Sequence, residues 1–235
     1  MNKKTLLILL SLFIICGPAY AGSGRNILFQ VSTMPALMSG AYEGLTTVNS
    51  LKLKGDFGIG AFEGLDGEMI MIDGQMFKSG PDLRCSPVIN DEKLPFATAT
   101  FFEPHKVYKV YKDLNYNELV EYLNGILPNK KYITAIKIKG AFEYIKIRSV
   151  LKQKTPYPKL SDALKTQATL SIRNADGVAV GFWFPEYLNA INNAGYHFHF
   201  ITAERDLSGH LLDLRIRNVS IELDDISQLQ MILPK

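Results

Sequence analysis

The chain has 235 residues, 47% of them hydrophobic, with 26 lysines and arginines against 23 acidic residues and a formal net charge of +3. This near balance, without a run of basic residues, argues against a nucleic-acid-binding surface, so we expect no nucleic-acid partner. The length allows one large or two small domains with a substantial buried core.

The first residues predict a secretory signal peptide. Lys3 and Lys4 precede an apolar run over residues 6–16, and Ala19-Tyr20-Ala21 supplies a cleavage site in which small residues flank any residue. The run is too short to span a bilayer comfortably. We therefore expect residues 1–21 to be removed and the mature, nearly neutral protein to be periplasmic or extracellular, with no membrane contact.

The two cysteines give no intrachain disulfide in the mature protein. Cys16 falls within the predicted signal, which leaves Cys85 alone in a compartment that favours disulfides. An alternative is a lipoprotein in which Cys16 is lipidated, although the bulky Ile15 before it is unfavourable for that processing.

Strand patterns outnumber helical ones along the mature chain. Residues 57–62 and 68–72 predict a hairpin with a turn at 64–67. Asn115 as a cap and apolar residues at helical spacing predict a helix over 115–126. Further strands are predicted over residues 132–138, 142–150, 168–173 and 177–184. Short helices are expected over residues 160–166 and from near Pro185.

A polar segment divides these elements. Residues 152–160 contain Pro156 and Pro158, which disfavour regular structure. We expect the boundary between two lobes here, with an N-terminal β-rich lobe over residues 22–151 and a C-terminal lobe over 152–235.

Three of the four histidines lie close together near the end of the chain. His197 and His199 are two residues apart in a predicted strand, so their side chains share a face, while the aromatic residues around them point the other way. His210 begins the returning strand of a hairpin. From this face both paired imidazoles can reach one ion.

The direction of His210 depends on the alternation of its strand. His210 has the parity of Leu212, Leu214 and Ile216, so we expect it to face the interior with these apolar residues. A register that pairs an odd-numbered residue of the first strand with an even-numbered residue of the second would bring the three imidazoles together.

Three imidazoles that leave coordination positions open are typical of a catalytic zinc site. A structural zinc site is instead closed by four protein ligands. The alternative is that these are ordinary half-buried histidines beside aromatic residues. His105 follows a proline in a loop and is interpreted as a surface residue.

Several motifs, in one order along the chain, resemble those of the alpha-acetolactate decarboxylases. They are Gly55-Asp56-Phe57-Gly58-Ile59-Gly60, Leu65-Asp66-Gly67-Glu68-Met69-Ile70, Ala163-Leu164-Lys165-Thr166-Gln167, Gly195-Tyr196-His197-Phe198-His199-Phe200-Ile201 and Gly209-His210. The resemblance implies an α/β (α+β) fold of two lobes, built on mixed and antiparallel β-sheets with few short helices. It also implies a homodimer that converts 2-acetolactate to acetoin and CO2.

The resemblance assigns roles to five side chains. It implies that His197, His199 and His210 hold Zn2+, and that Glu68 and Arg148 are the polar residues of the active site. Loss of CO2 from a β-keto acid leaves an enediolate, whose charge a Lewis-acidic zinc ion can stabilise. Arg148 can hold the departing carboxylate. Glu68 can transfer a proton or contact the metal, and both roles stay open.

The sequence departs from the family pattern at two places. The family carries a glutamate on a C-terminal tail that folds over the site, and we expect no residue up to Leu233-Pro234-Lys235 to match it. The family often has threonine after Gly60, where this chain has Ala61.

Two other functions remain in competition. A cupin-like metalloprotein is the first, because His197, His199 and then Glu204 imitate the first metal motif of that superfamily, although His210 follows Glu204 too closely. The second is an exported zinc-binding protein without decarboxylase activity.

Overall fold

The computed structural model of the chain describes residues 26–127 and 130–234, so the predicted signal peptide and Cys16 lie outside the described part. The strands are Ile27–Val31 (β1), Thr46–Thr47 (β2), Phe57–Ala61 (β3), Glu68–Ile72 (β4), Gln75–Ser79 (β5), Cys85–Pro87 (β6), Lys93–Leu94 (β7), Phe96–Thr100 (β8), Lys106–Val110 (β9), Leu114–Asn115 (β10), Ile133–Ser149 (β11), Ala168–Phe184 (β12), Gly195–Thr202 (β13), Ser208–Ile226 (β14) and Gln228–Ile232 (β15). The α-helices are Met34–Met38 (α1), Val48–Lys52 (α2), Tyr116–Ile126 (α3) and Leu160–Ala163 (α4), and single turns of 3-10 helix cover Glu63–Leu65, Leu164–Thr166 and Glu186–Leu188.

Two large sheets carry the fold. The first has the order β15-β1-β8-β3-β4-β5-β6, in which β1 and β15 are parallel and the other pairs antiparallel. The second is antiparallel, with the order β10-β14-β11-β12-β13, and β9 also pairs with β14. β13 additionally pairs with the start of β14. The predicted mixed and antiparallel sheets with few short helices are confirmed.

The sheets pack against each other through aromatic and aliphatic side chains. Phe57, Ile59 and Ile70 of the first sheet meet Val180 and Phe182 of the second in one buried cluster. Helix α3 covers the opposite face of the second sheet, and α2 covers the opposite face of the first. Burial of this apolar area is the main source of stability for the fold.

Most predicted elements are confirmed. The hairpin over residues 57–72 forms as β3 and β4, and its turn contains a single turn of 3-10 helix. The predicted helix over 115–126 is α3. Asn115 accepts a hydrogen bond from the backbone of Glu118, whose side chain accepts one from the backbone of Asn115, so this helix begins with a capping box.

The predicted breaks within two strand pairs are wrong. Ile133–Ser149 form one long strand, β11, and Ala168–Phe184 form another, β12. Gly140 and Gly177 pair directly with each other inside these strands. A Cβ on Gly140 would lie 2.3 Å from the carbonyl oxygen of Asn218, so glycine here permits a close backbone approach rather than a turn.

The division into lobes at residue 151 stays a prediction. An irregular segment does separate β11 from α4. However, strands from both sides of this point share each sheet, because β11 pairs with β12 and β14, and β15 pairs with β1.

Three smaller expectations concern single features. Cys85 is a free thiol. The side chain of His105 is 40% exposed and lies 3.5 Å from Asp225, which agrees with its interpretation as a surface residue. In the described part of the chain, no helix combines the length and the apolar character that crossing a bilayer requires.

Candidate metal and catalytic site

A cavity of about 480 Å³ lies at one end of the contact between the two sheets. The five side chains singled out in the sequence all line it: Glu68 from β4, Arg148 from β11, His197 and His199 from β13, and His210 from β14. Residues that are far apart in sequence therefore meet in one place because the ends of these strands converge.

The three imidazoles form a cluster with the geometry of a metal site. Their candidate ligand nitrogens all lie within 4.8 Å of one another, and Nε2 of His197 is 3.1 Å from Nδ1 of His210. His199 pairs directly with His210 across β13 and β14, so the predicted odd-to-even register is confirmed.

The prediction that His210 shares a strand face with Leu212, Leu214 and Ile216 is wrong, although His210 does join the cluster. Opposite Lys146 and Ile147 of β11, the register of β14 shifts, and Leu212 has no partner. This bulge reverses the alternation, so that Leu211 is buried and Leu212 is 37% exposed. His210 consequently points toward the first sheet, away from the face that buries Leu211 and Leu214.

Hydrogen bonding fixes one ring of the cluster. Nδ1 of His199 lies 3.0 Å from the main-chain carbonyl oxygen of Met69, so Nδ1 carries the proton and donates it. The lone pair of Nε2 then faces the cavity, as in histidines that ligate metals. Nδ1 of His197 is buried and makes no hydrogen bond.

Burial keeps the three rings neutral at physiological pH. Loss of hydration, together with the positive charge of Arg148, lowers the pKa of His197 to about 4. Burial also lowers the pKa of His199 and His210 well below the ordinary value, with contributions from the neighbouring imidazoles and Arg148. Neutral imidazole is the form that binds a metal ion.

Glu68 and Arg148 form a buried ion pair at the edge of the cluster. A terminal guanidinium nitrogen of Arg148 donates to Oε1 of Glu68 over 2.9 Å, and Oε2 of Glu68 lies 3.6 Å from Nε2 of His199. Burial raises the pKa of the Glu68 carboxyl, and the charge of Arg148 only partly opposes this. Glu68 is therefore a carboxyl that can hold a proton beside the cavity.

The donor set fits a divalent metal such as zinc. Nε2 of His197 lies 3.1 Å from Nδ1 of His210, and Nε2 of His199 lies 3.6 Å from a carboxylate oxygen of Glu68, so neutral nitrogen donors and a negative charge meet where a cation could bind. Three nitrogen ligands leave positions open for a substrate, which is the arrangement of catalytic zinc sites.

Sequence reasoning missed the backbone of Met69 and the apolar walls of the cavity. Met69 orients His199 through a carbonyl group that every residue has, so no side-chain signal could reveal it. Leu37 of α1 and Leu160 of α4 line the cavity beside Ala61, the position where the family often has threonine. Only the apolar spacing of these helices could have hinted at their role.

Glu204, the acid on which the cupin-like alternative depends, does not join the cluster. It lies exposed in the turn after β13, and the group of side chains that could hold a metal consists of the three histidines alone within residues 26–127 and 130–234. The geometry therefore gives no support to the cupin-like motif.

Comparison with known proteins yields consistent matches over most of the chain. The family model for alpha-acetolactate decarboxylase matches residues 28–235. An alpha-acetolactate decarboxylase from Methanosarcina mazei is 41% identical over 217 residues, which are 92% of this chain and 75% of the relative, and one from Brevibacillus brevis is 38% identical over 210 residues, which are 89% and 74%. The crystal structure of the enzyme from Bacillus subtilis strain 168 has a TM-score of 0.87 at 34% identity and covers 89% of each chain.

Proposed function

The chain belongs to the alpha-acetolactate decarboxylase family of carbon–carbon lyases, and from this premise we propose that it converts 2-acetolactate to acetoin and CO2 at a Zn2+ ion held by His197, His199 and His210. The observation that carries the proposal is the cluster of three neutral imidazoles, of which His199 is buried and His197 and His210 are half-buried, beside the ion pair of Arg148 and Glu68. A Zn2+ ion bound there would supply a Lewis acid that draws electrons from the ketone of the substrate.

Arg148 binds and orients the carboxylate that is lost as CO2. Its side chain is 13% exposed, so an anion beside it is shielded from water and feels the positive charge strongly. One guanidinium nitrogen is held by Glu68, which fixes the plane of the group. The remaining N–H donors can then bind a carboxylate at a defined angle.

Glu68 delivers the proton that completes the reaction. After CO2 leaves, the carbon that carried it must receive a proton on one face, and a carboxyl with a raised pKa is suited to store and transfer that proton. The alternative role of Glu68, direct contact with the metal, predicts a different result: Glu68→Gln would lose Zn2+ as well as turnover. We expect Glu68→Gln to retain Zn2+ and to lose acetoin formation.

The test of the function is to add 2-acetolactate to purified, zinc-loaded protein and to measure acetoin before and after treatment with a chelator. We expect acetoin only before the chelator and its recovery when Zn2+ is restored. Stoichiometric zinc without acetoin would support the non-enzymatic zinc-binding protein instead. Acetoin formation that persists without metal would contradict the role of zinc.

We also propose that the protein is exported after cleavage near Ala21 and acts as a homodimer. Export is supported by Lys3 and Lys4 before the apolar run, and dimerisation by the family resemblance alone. Sequencing of the N-terminus from the exported fraction should begin near Gly22, and light scattering should give twice the chain mass. A start at Met1 or a monomeric mass would contradict the respective proposal.

A further inference from the structure

Three buried serines lie directly beside the residues of the candidate site. Ser79, Ser149 and Ser208 have no solvent exposure. Ser79 pairs with Glu68 across β4 and β5, Ser149 follows Arg148 at the end of β11, and Ser208 stands two residues before His210 at the start of β14. Neither the sequence motifs nor the proposed reaction gives these serines a role.

The serines bond to one another's main chains across the gap between the sheets. The hydroxyl of Ser149 donates to the carbonyl oxygen of Ser79 over 3.2 Å. The hydroxyl of Ser79 in turn donates to the carbonyl oxygen of Ser208. Ser79 belongs to the first sheet and the other two to the second, so two hydrogen bonds tie the sheets together at the end that carries the site.

Within each sheet, the strands beside these serines pack closely against each other. A Cβ on Gly67 would lie 2.2 Å from the carbonyl oxygen of Ser79, and a Cβ on Gly209 would lie 2.6 Å from that of Arg148. Both glycines adjoin a site residue, Glu68 or His210. Between the sheets, the two serine hydroxyls bridge this end together with main-chain hydrogen bonds from Cys85 to the carbonyl of Asp206 and from Ser208 to that of Leu83.

We propose that Ser79 is a positioning residue that holds the strand of Glu68 at the correct distance from the strands of Arg148 and His210; this rests on the proposed function. Ser79 donates through its hydroxyl to the carbonyl of Ser208 and accepts through its own carbonyl from Ser149, so this residue joins β5 to both β14 and β11, and its hydroxyl makes the bond to β14. Metal sites and ion pairs depend on such supporting contacts, because displacements of less than 1 Å weaken directional bonds.

The test compares Ser79→Ala with a matched variant, Thr100→Val. Thr100 has the same degree of burial, and its hydroxyl also donates to a main-chain carbonyl, that of Ile27, over 3.0 Å. Phe96, at one end of β8, lines the cavity, whereas Thr100 is at the other end of this strand, away from the site. Both variants remove one buried hydrogen bond, but only Ser79→Ala removes it beside the site.

We expect Ser79→Ala to weaken Zn2+ affinity, measured by competition with a chromogenic chelator, about 10- to 100-fold. Thr100→Val should change this affinity less than about twofold, with a comparable fall in melting temperature. Ser149→Ala should weaken affinity in the same direction as Ser79→Ala, and Ser79→Thr, which keeps the hydroxyl, should restore most of it. Equal Zn2+ affinity in Ser79→Ala and Thr100→Val would overturn the proposal.

Zinc affinity keeps this test separate from the proposed reaction. If wild-type protein binds Zn2+ but forms no acetoin, the decarboxylase proposal fails while the comparison of affinities still decides the role of Ser79. If wild-type protein forms acetoin and Ser79→Ala binds Zn2+ normally with an unchanged kcat, the positioning role alone is wrong. A weaker affinity with a reduced kcat supports both.

Discussion

The contact between the two sheets has two ends of opposite chemical character. Along β4, the side chains facing the second sheet are Glu68, Ile70 and Ile72, and along β13 those facing the first sheet are His197, His199 and Ile201. Within two residues on each strand, the same face changes from aliphatic to ionisable. The aliphatic end also contains the aromatic rings of Phe57, Phe102 and Phe182, packed face to face and edge to face, and the ionisable end surrounds the cavity.

The difference shows how one fold separates stability from chemistry. The apolar end gains free energy from buried area, which does not depend on exact angles. The polar end buries an ion pair and three imidazoles, and removing such groups from water costs free energy that their mutual contacts recover only in part. The apolar end therefore stabilises an arrangement that would be unfavourable alone.

The largest expected effect is at the polar end. His199→Ala removes a ligand, and we expect turnover to fall by roughly 1000-fold, since a lost Lewis acid is worth several kcal/mol of transition-state stabilisation. Zinc content should fall below one ion per chain in elemental analysis. His105→Ala, at the exposed histidine, is the control and should keep both wild-type turnover and wild-type zinc content. Full zinc retention in His199→Ala would refute the ligand assignment.

The counterpart at the apolar end is Phe182→Ala. Phe182 is fully buried, and its ring lies 5.8 Å from that of Phe57. We expect the free energy of unfolding to fall by about 3–5 kcal/mol in urea titrations, because a cavity replaces the ring. Zinc content per folded molecule should not change. Leu53→Ala, at an exposed side chain, should lie within about 0.5 kcal/mol of wild type. Loss of zinc affinity in folded Phe182→Ala would show that the two ends are not independent.

A smaller effect is expected for Arg148→Lys. A single ammonium keeps the charge beside Glu68 but cannot reproduce the planar fork of the guanidinium. We expect kcat to fall about 10-fold or more while zinc content is unchanged. The exposed Arg173, which stacks on Tyr144, provides the control Arg173→Lys. Unchanged kcat in Arg148→Lys would remove Arg148 from the reaction.

The smallest effect concerns Asp224, a carboxyl beside the apolar end that pairs with Ala135. Burial raises its pKa from 3.8 to about 6, although the backbone N–H of Glu103 donates to it. As the pH rises, the Asp224 carboxyl loses its proton in the unfolded chain before it does so in the folded protein. The free energy of unfolding of wild type therefore falls relative to that of Asp224→Asn between about pH 4 and about pH 6, and the difference between the two proteins is constant above pH 6. Between the two ends of this pH range, we expect the free energy of unfolding of the variant to rise relative to wild type by on the order of 1 kcal/mol, since solvent screens part of the effect.

Thermal melts of wild type and Asp224→Asn at intervals between pH 4 and pH 7 measure this difference. The control is Asp82→Asn, at a carboxyl on an exposed side chain. A difference for Asp224→Asn that is independent of pH would contradict the raised pKa.

The sequence predicts part of the site because strand alternation is a local rule. His197 and His199 could be placed on one face from their spacing, and α3 could be located from its cap at Asn115. The pairing of Glu68 with Arg148 could not be found in this way. These residues are 80 positions apart, and only the resemblance to a family connected them before the sheets were seen to converge.

The bulge at Leu212 marks where local reasoning fails. Leu211 and Leu212 are identical residues, so no difference in hydropathy shows which of them is buried. The choice is made by pairing with Ile147 and by packing under α3, which are tertiary effects. The prediction that His210 joins the cluster succeeded through the register, while the face assigned to it failed.

The carbonyl of Met69 has a consequence for genetics. The hydrogen-bond acceptor that orients His199 belongs to the peptide unit, whereas the methionine side chain points into the apolar layer under α2. Every codon at this position encodes the same acceptor, so a mutational scan would score only how well each side chain fills that layer. One of the groups nearest the chemistry would therefore leave no trace in such a scan.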